Sequence, residues 1–399
     1  MPASQYPHRF INQYTRIPGE VSDRLDTEFG GEYEGVRHCL GLIITNLLAC
    51  GTTAYSRNSS FYTENRTRHY TYTNMMRATD LAAEKGYASN NLGFRSKGYR
   101  KGISSTLSPL GKLAEDFSPT GRLETDVELL PLLVIDNRPM YTISDIASVA
   151  KVSSVPVPLL PTTYNVTYKL NREYFNRMEI DYSKLDIKEE YLTVVGLTRV
   201  FKGGEGGRWF QKGGLSYQQL SGEDRARILL DGEEVVELDY PAMHPHILYA
   251  WAGEQCPENF YERVADLCGC KRSVAKSTVL FALNAKGYAS LSSAINLDKA
   301  HETRANLARK EPKPILYEEL KEAGLRPSDV VNAIGEVHSA IRKYLFSGMA
   351  NRLMLEESEV LTSALLRLMG LNIPSLPVHD SLIAPKRYRG QVKQVMEDA

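Results

Sequence analysis

The stretch Val235–Ala250, VVELDYPAMHPHILYA, decides how the chain folds. Its apolar run carries one acid, Asp239, and then turns directly into helix-forming sequence. Val235, Val236 and Leu238 are strand formers, and Pro241 suits the first turn of a helix, so the stretch predicts strand, corner, helix. A carboxylate at such a corner faces a cleft; the competing reading is a buried acid that caps the following helix. Late in the chain, Ile373–Pro385, IPSLPVHDSLIAP, is a short apolar strand interrupted by His379–Asp380 and then resumed, which predicts a hairpin with Asp380 at its tip. Two strand-end acids from distant parts of one chain are what a two-metal site needs, because each must bridge cations about 3.5–4 Å apart. Between them, Lys271–Gly287, KRSVAKSTVLFALNAKG, reads as a helix. Arg272 and Lys276 stand four apart on one face, with an apolar face opposite, so the polar side is suited to phosphates.

Taken in order, Asp239, the Arg272-x-x-x-Lys276 helix and the His379–Asp380 pair resemble motifs A, B and C of family A DNA polymerases and of the single-subunit phage-type RNA polymerases. The resemblance spans about Val195 to Ala399. It implies an α+β fold in the shape of a right hand, with an antiparallel palm sheet and helical fingers. It implies that Asp239 and Asp380 bind two Mg²⁺ ions, with Mn²⁺ as the alternative metal. One ion activates a primer 3′-hydroxyl and the other holds the triphosphate. Arg272 and Lys276 would contact the incoming triphosphate, Lys276 would also protonate the leaving pyrophosphate, and His379 would sit beside the primer terminus. Upstream, Gly206–Phe210, GGRWF, resembles the Gly-Arg element that phage-type RNA polymerases place before motif A, which implies a nucleic-acid backbone contact for Arg208. The implied partners are a DNA primer-template and nucleoside triphosphates.

Three positions depart from the family pattern. The fifth residue after the motif A Asp, a Glu in the DNA polymerases and a Gly in the RNA polymerases, is His244 here. The eighth residue after the motif B Lys, usually Tyr, is Asn284, which with His244 would line the nucleotide pocket. After the motif C Asp the DNA polymerases have Glu, whereas this chain has Ser381, as the RNA polymerases do. A bulky His244 would crowd a 2′-hydroxyl and favours deoxynucleotides. Ser381 and the Gly-Arg element lean toward the RNA-making branch. The balance is read as DNA synthesis.

At 399 residues the chain has ample core for an enzyme of two or three domains. Lys and Arg number 48 and so do Asp and Glu, so net charge gives no sign of a nucleic-acid partner. Distribution says more: Lys85 to Lys112 holds six cations and no acid. The five cysteines are odd in number and lack paired C-x-x-C spacing, which argues against a disulfide framework or a zinc knuckle. There is no signal-peptide pattern, and the longest apolar run, Leu40–Cys50, is too short for a bilayer. It reads as a core helix of a cytoplasmic protein with no membrane partner.

Residues 1–22 read as a polar lead-in, and Asp23–Ala49 passes from an acidic stretch into the apolar helix. From Thr71, TYTNMMRATDLAAEKGYAS has helical spacing with Gly86 as its stop. Asn90–Ser105 is basic, Gly-rich and aromatic, and Leu107–Phe117 closes with a short helix. Helix, basic ribbon and helix suggest a winged-helix-like module; a solvated loop is the competing reading. Phe94, Arg95, Lys97, Tyr99, Arg100 and Lys101 interleave cations for phosphates with rings that stack on bases, which favours nucleic-acid contact. Thr142–Lys151 reads as a small helix, and the prolines of Val152–Thr163 as a linker. The division is therefore 1–155, a mainly helical nucleic-acid-binding domain, and 156–399, palm and fingers. Arg199 reads as a surface ion pair, His338 as a satisfied packing residue, and the polar residues Asn351, Arg352, Glu356, Glu357 and Ser358 mostly as a solvated helix face. Arg352 is a further candidate for DNA contact.

The function so read is a template-directed nucleotidyltransferase, a compact family A-like DNA polymerase without proofreading. A primase or small RNA polymerase is the second reading. A non-catalytic DNA-binding replication or regulatory protein with a polymerase-like fold is the third. A DNA-binding head on so compact a polymerase would suit a phage, plasmid or other mobile element.

Overall fold

The computed structural model describes residues 10–64, 67–93, 104–118, 130–142, 159–187, 191–307 and 312–399, with Asp126 and Asp145. The first helices are α1 (Gly19–Glu28) and α2 (Glu34–Cys50). From Val36 to Leu47 nearly every α2 residue is buried, which is why that run is so uniformly apolar. Its buried Asn46 is satisfied within the helix, donating to the Leu42 carbonyl at 2.8 Å. Then come β1 (Thr53–Tyr55), α3 (Ser59–Glu64), α4 (Tyr72–Glu84), β2 (Ala88–Asn91), β3 (Ser105–Pro109) and α5 (Gly111–Asp116). Thr71 caps α4 by accepting from the Asn74 amide at 3.3 Å. Gly86, at φ +74°, ends it as expected. The strands form an antiparallel sheet in the order β1-β3-β2. Met75, Ala78, Leu81 and Ala82 of α4 meet Leu40, Ile43 and Leu47 of α2 in one core. The lead-in is docked from Phe10 onward, since the Ile11 amide donates to the Ala54 carbonyl at 2.9 Å.

The remaining elements are β4 (Leu133–Ile135), β5 (Arg138–Met140), α6 (Leu159–Glu173), β6 (Ile180–Asp181), β7 (Leu197–Lys202), β8 (Glu205–Gln211), the single turn α7 (Gly222–Arg225), β9 (Leu229–Leu230) and β10 (Glu233–Asp239). After β10 come α8 (Met243–Ala252), α9 (Phe260–Cys268), α10 (Arg272–Asn284), α11 (Tyr288–Asn306), α12 (Leu316–Glu322), α13 (Pro327–Val337), α14 (Ala350–Gly370), β11 (Leu376–Val378), β12 (Ser381–Pro385) and α15 (Arg389–Glu397). The fold is mixed α+β. Its central sheet runs β11-β12-β10-β9-β6, antiparallel throughout. Leu376, Val378, Leu382 and Ile383 share a core there with Leu361, Leu365 and Leu368 of α14 and Val392 of α15. Helices α8–α13 pack around a separate core that includes Tyr249, Phe260, Val264, Val279, Leu283, Val330 and Ile334. Leu353 of α14 also belongs to it.

A further sheet, β5-β4-β7-β8, alters the domain division. The 133–140 hairpin falls before residue 155, yet β4 pairs in parallel with β7, and Leu133 and Ile135 pack with Phe201. The hairpin is thus part of the C-terminal body. The linker is also shorter than its prolines suggest: residues 152–158 lie outside the described residues, and α6 begins at Leu159, where Pro161 sits in the tolerated first turn. Of the helix expected over Thr142–Lys151, Thr142 and Asp145 are described; they bond reciprocally, the Thr142 amide to Asp145 Oδ2 at 2.8 Å and the Asp145 amide to Thr142 Oγ1 at 3.3 Å. His338 is a packing residue, its ring stacked on Phe260 at 3.8 Å and bonded to Tyr249 Oη and the Phe260 carbonyl.

Candidate active site

β10 and β12 pair antiparallel from Val235 opposite Pro385 to Asp239 opposite Ser381. That register brings the end of one strand to the start of the other, so Asp239 stands beside the His379–Asp380 tip. The Tyr240 amide donates to the Asp380 carbonyl at 3.2 Å and ties tip to corner. Both turns use left-handed non-glycine residues, His379 at φ +54° and Ala242 at φ +51°. No side chain caps α8, so Asp239 is left facing outward rather than spent on the helix. Its carboxyl is pushed up to about 6, first by desolvation and then by the charge of Asp380. Below the pair, Ser381 Oγ donates to Glu237 Oε1 at 2.8 Å, and Glu237 accepts two bonds from Arg225 at 2.8 and 2.9 Å.

Helix α10 brings its cations to this edge. The charge of Lys276 reaches Asp239 and draws its carboxyl partly back down. Among the described residues Lys276 is exposed and makes no ion pair. Arg272, one turn earlier, lies over the Tyr261 ring at 5.1 Å and pairs with Glu262 at 2.6 Å. Tyr261 is buried, which raises its hydroxyl first, and the charge of Asp380 adds to that. Asn284, two turns beyond Lys276, is exposed and bonds back to the Leu280 carbonyl.

The third side of the site is one buried carboxylate. Glu357 of α14 is 1% exposed and accepts from Arg208 Nε at 2.6 Å, Arg208 Nη2 at 2.8 Å and His244 Nε2 at 2.9 Å. Burial alone would raise its pKa, but the bonds from His244 and Arg208 outweigh that and hold it below the ordinary value. Arg208 from β8 and His244 from α8 are thereby fixed to a single anchor. His379 is lowered, by its crowded surroundings first and by the nearby Arg208 charge second, while Asp380 opposes both.

Glu357 and Ser358 are thus not on a solvated face, as their polarity predicts. Leu353, Glu357, Leu361, Leu365 and Leu368 form the inward stripe of α14, and a carboxylate inside such a stripe was the legible signal. Arg199 departs from expectation in the same way. It is 1% exposed, donates to the Gly207 carbonyl, Ser358 Oγ and Glu359, and lies against the Phe201 and Trp209 rings. Its neighbours two positions away, Leu197 and Phe201, point to the core face on which it sits. Arg352 remains on the solvent side of α14, paired with Glu356 at 3.2 Å. Arg95, Lys97, Arg100 and Lys101 lie outside the described residues.

Asp239 and Asp380 suit Mg²⁺, a hard cation that proteins hold through one or two carboxylates completed by water and substrate phosphates. Among the described residues no group of three or more His, Cys, Asp or Glu suited to a metal ion is present. No helix among them is long and apolar enough to cross a membrane. No family model, curated protein or solved structure matches the chain.

Proposed function

We propose that the protein is a template-directed nucleotidyltransferase that extends a primer 3′-hydroxyl with nucleoside triphosphates, most simply a family A-like DNA polymerase. The observation that carries this reading is the strand register that brings two strand-end acids, Asp239 and Asp380, together, with the charge of Lys276 on a separate helix reaching Asp239. Left-handed non-glycine residues on both flanking turns add support, because such backbone persists where the surroundings enforce a geometry. When bound, two Mg²⁺ ions supply charge neutralisation and a more acidic 3′-hydroxyl. Asp239 and Asp380 hold them. Lys276 and Arg272 orient the triphosphate along α10, and Arg272 exchanges Glu262 for phosphate oxygens. Lys276, whose charge reaches Asp239, is also the candidate proton donor to the departing pyrophosphate. Glu357 fixes His244 and Arg208 as one wall, so the side chain that meets the sugar has a set position.

The palm reading rests on the antiparallel β11-β12-β10 sheet carrying both acids, and the fingers reading on the helical layer that carries Arg272 and Lys276. For the N-terminal part, the order α2, β1, α3, α4, β2, β3 with strands arranged β1-β3-β2 supports a winged-helix-like module that grips nucleic acid. The test is extension of a labelled primer-template with Mg²⁺ and either dNTPs or NTPs, beside Asp239→Ala and Asp380→Ala. Extension in the parent protein and its loss in both variants is expected. Failure of the parent protein on primed and unprimed templates with both triphosphates would overturn the reading.

A further inference from the structure

A cleft of about 680 Å³ lies away from the acids, between the N-terminal part and one face of the β5-β4-β7-β8 sheet. Strand alternation builds its floor. In β8, Gly207, Trp209 and Gln211 are buried, while Arg208 and Phe210 turn to the opposite face, followed in phase by Lys212. Val200, opposite Arg208, and Val134, opposite Val200, continue that face across the sheet. The far wall comes from the N-terminal part: Phe10 and Phe61, whose rings lie 5.8 Å apart at 32°, and Tyr14. Asn12 Nδ2 donates to the Gly213 carbonyl and ties the two walls together.

The cation in this cleft is unusual. Lys212 is mostly buried, near the Phe210 ring at 6.0 Å, and makes no ion pair or side-chain hydrogen bond among the described residues. Burial lowers its pKa with no opposing charge acting on it. A desolvated ammonium without a partner is unfavourable unless an anion is brought to it. Aromatic rings beside one cation, in an open groove of this size, match a base stack with its phosphate. Arg208, four residues earlier on β8, is held by Glu357 and its charge reaches His379.

We propose that this cleft holds a single-stranded segment of nucleic acid, with a phosphate at Lys212 Nζ and bases against Phe10 and Phe61. The proposal rests on the nucleic-acid reading given above but not on catalysis. It is tested with the full chain carrying Asp239→Ala, in EDTA, by fluorescence anisotropy of a 5′-labelled dT12 oligonucleotide across a salt series. Lys212→Gln should weaken binding about five- to tenfold and flatten the log–log salt slope by about 0.7, the share of one phosphate contact on a single strand. Phe61→Leu should weaken it about 5- to 150-fold, the range of one base–aromatic stack, with the slope unchanged. Binding equal to the parent protein in both variants overturns the proposal. So does displacement of the oligonucleotide by an equal concentration of ATP, which would make the cleft a mononucleotide pocket. If the variants weaken binding but the protein with Asp239 intact extends no primer, the polymerase reading falls and the cleft stands. If extension succeeds and both variants bind normally, the cleft falls alone.

Discussion

Removing the carboxylate of Glu357 tests the site's architecture without reference to its chemistry. The group is 1% exposed and accepts three bonds, two from Arg208 and one from His244. In Glu357→Ala those donors lose their acceptor and a cavity opens in the α14 stripe. Breaking a buried pair in this way costs about 3–5 kcal/mol. Arg208 is 25% exposed and can rehydrate in part, so the lower end is expected. Glu357→Gln keeps the shape but loses the charge, and should cost about 1–3 kcal/mol, the scale of hydrogen bonds to charged groups. At about 2–4 °C per kcal/mol for a large domain, Glu357→Ala should melt roughly 6–12 °C below the parent protein. Arg208→Ala with Glu357→Ala should cost less than the sum of the single variants by about 1–3 kcal/mol, because the two share one interaction. The sign with pH is fixed as well. A folded pKa held below the unfolded value stabilises above the unfolded pKa, near 4.3 for Glu, and this is lost as pH falls through the folded value. The gap between the parent protein and Glu357→Gln should therefore close in acid. A Glu357→Ala change within about 0.5 kcal/mol of the parent protein, the range of ordinary surface substitutions, would refute the reasoning.

Two further outcomes follow from neighbouring features. Gly207 has φ +80°, and an added Cβ would meet Phe201, Ser358 and Arg199 at 2.8–2.9 Å, so Gly207→Ala should cost at least about 2 kcal/mol by thermal melting, whereas Gly203→Ala, at φ +58° with open space around it, should cost less. Asp239 should titrate near 6 by carboxyl-carbon NMR in EDTA, and Asp380→Asn should move it toward the ordinary value. Because this folded pKa lies above the unfolded one, the folded state holds the extra proton between about pH 4 and 6, and stability should decline as pH rises through that window. A titration near 4, insensitive to Asp380→Asn, would remove the coupling.

The strand–corner–helix at Asp239, the hairpin at Asp380 and the helix of Arg272 and Lys276 were legible because each signal is local: two apolar runs broken by an acid, and one helix of period 3.6. The resemblance added their order, and the register of β10 with β12 supplied the proximity that order alone does not. Glu357 and Arg199 were misread for one reason: a charged residue was assigned to the surface from its type, when its phase in the helix or strand placed it inside. Their partners, Arg208 and Glu359, lie about 150 residues away in sequence, so no local rule could pair them. The 133–140 hairpin escaped for a related reason. Its strands are three residues each, and the β7 edge that receives them comes some 60 residues later.

Helix α14 carries one further implication. Its Leu353 is packed with the helical layer, its Leu361–Leu368 segment is packed under the central sheet, and Arg208, Arg199 and Trp209 fasten its middle to the strands. It acts as an axle through two separately packed bodies. Swinging α8–α13 toward the acids cannot be a free rotation about a loop; it must twist this rod or turn at its entry, where Phe346 and Gly348 sit at φ +62° and +69°. Glu357 lies between those two ends, so its bonds to His244 of α8 and Arg208 of β8 cross from one body to the other at the middle of the rod.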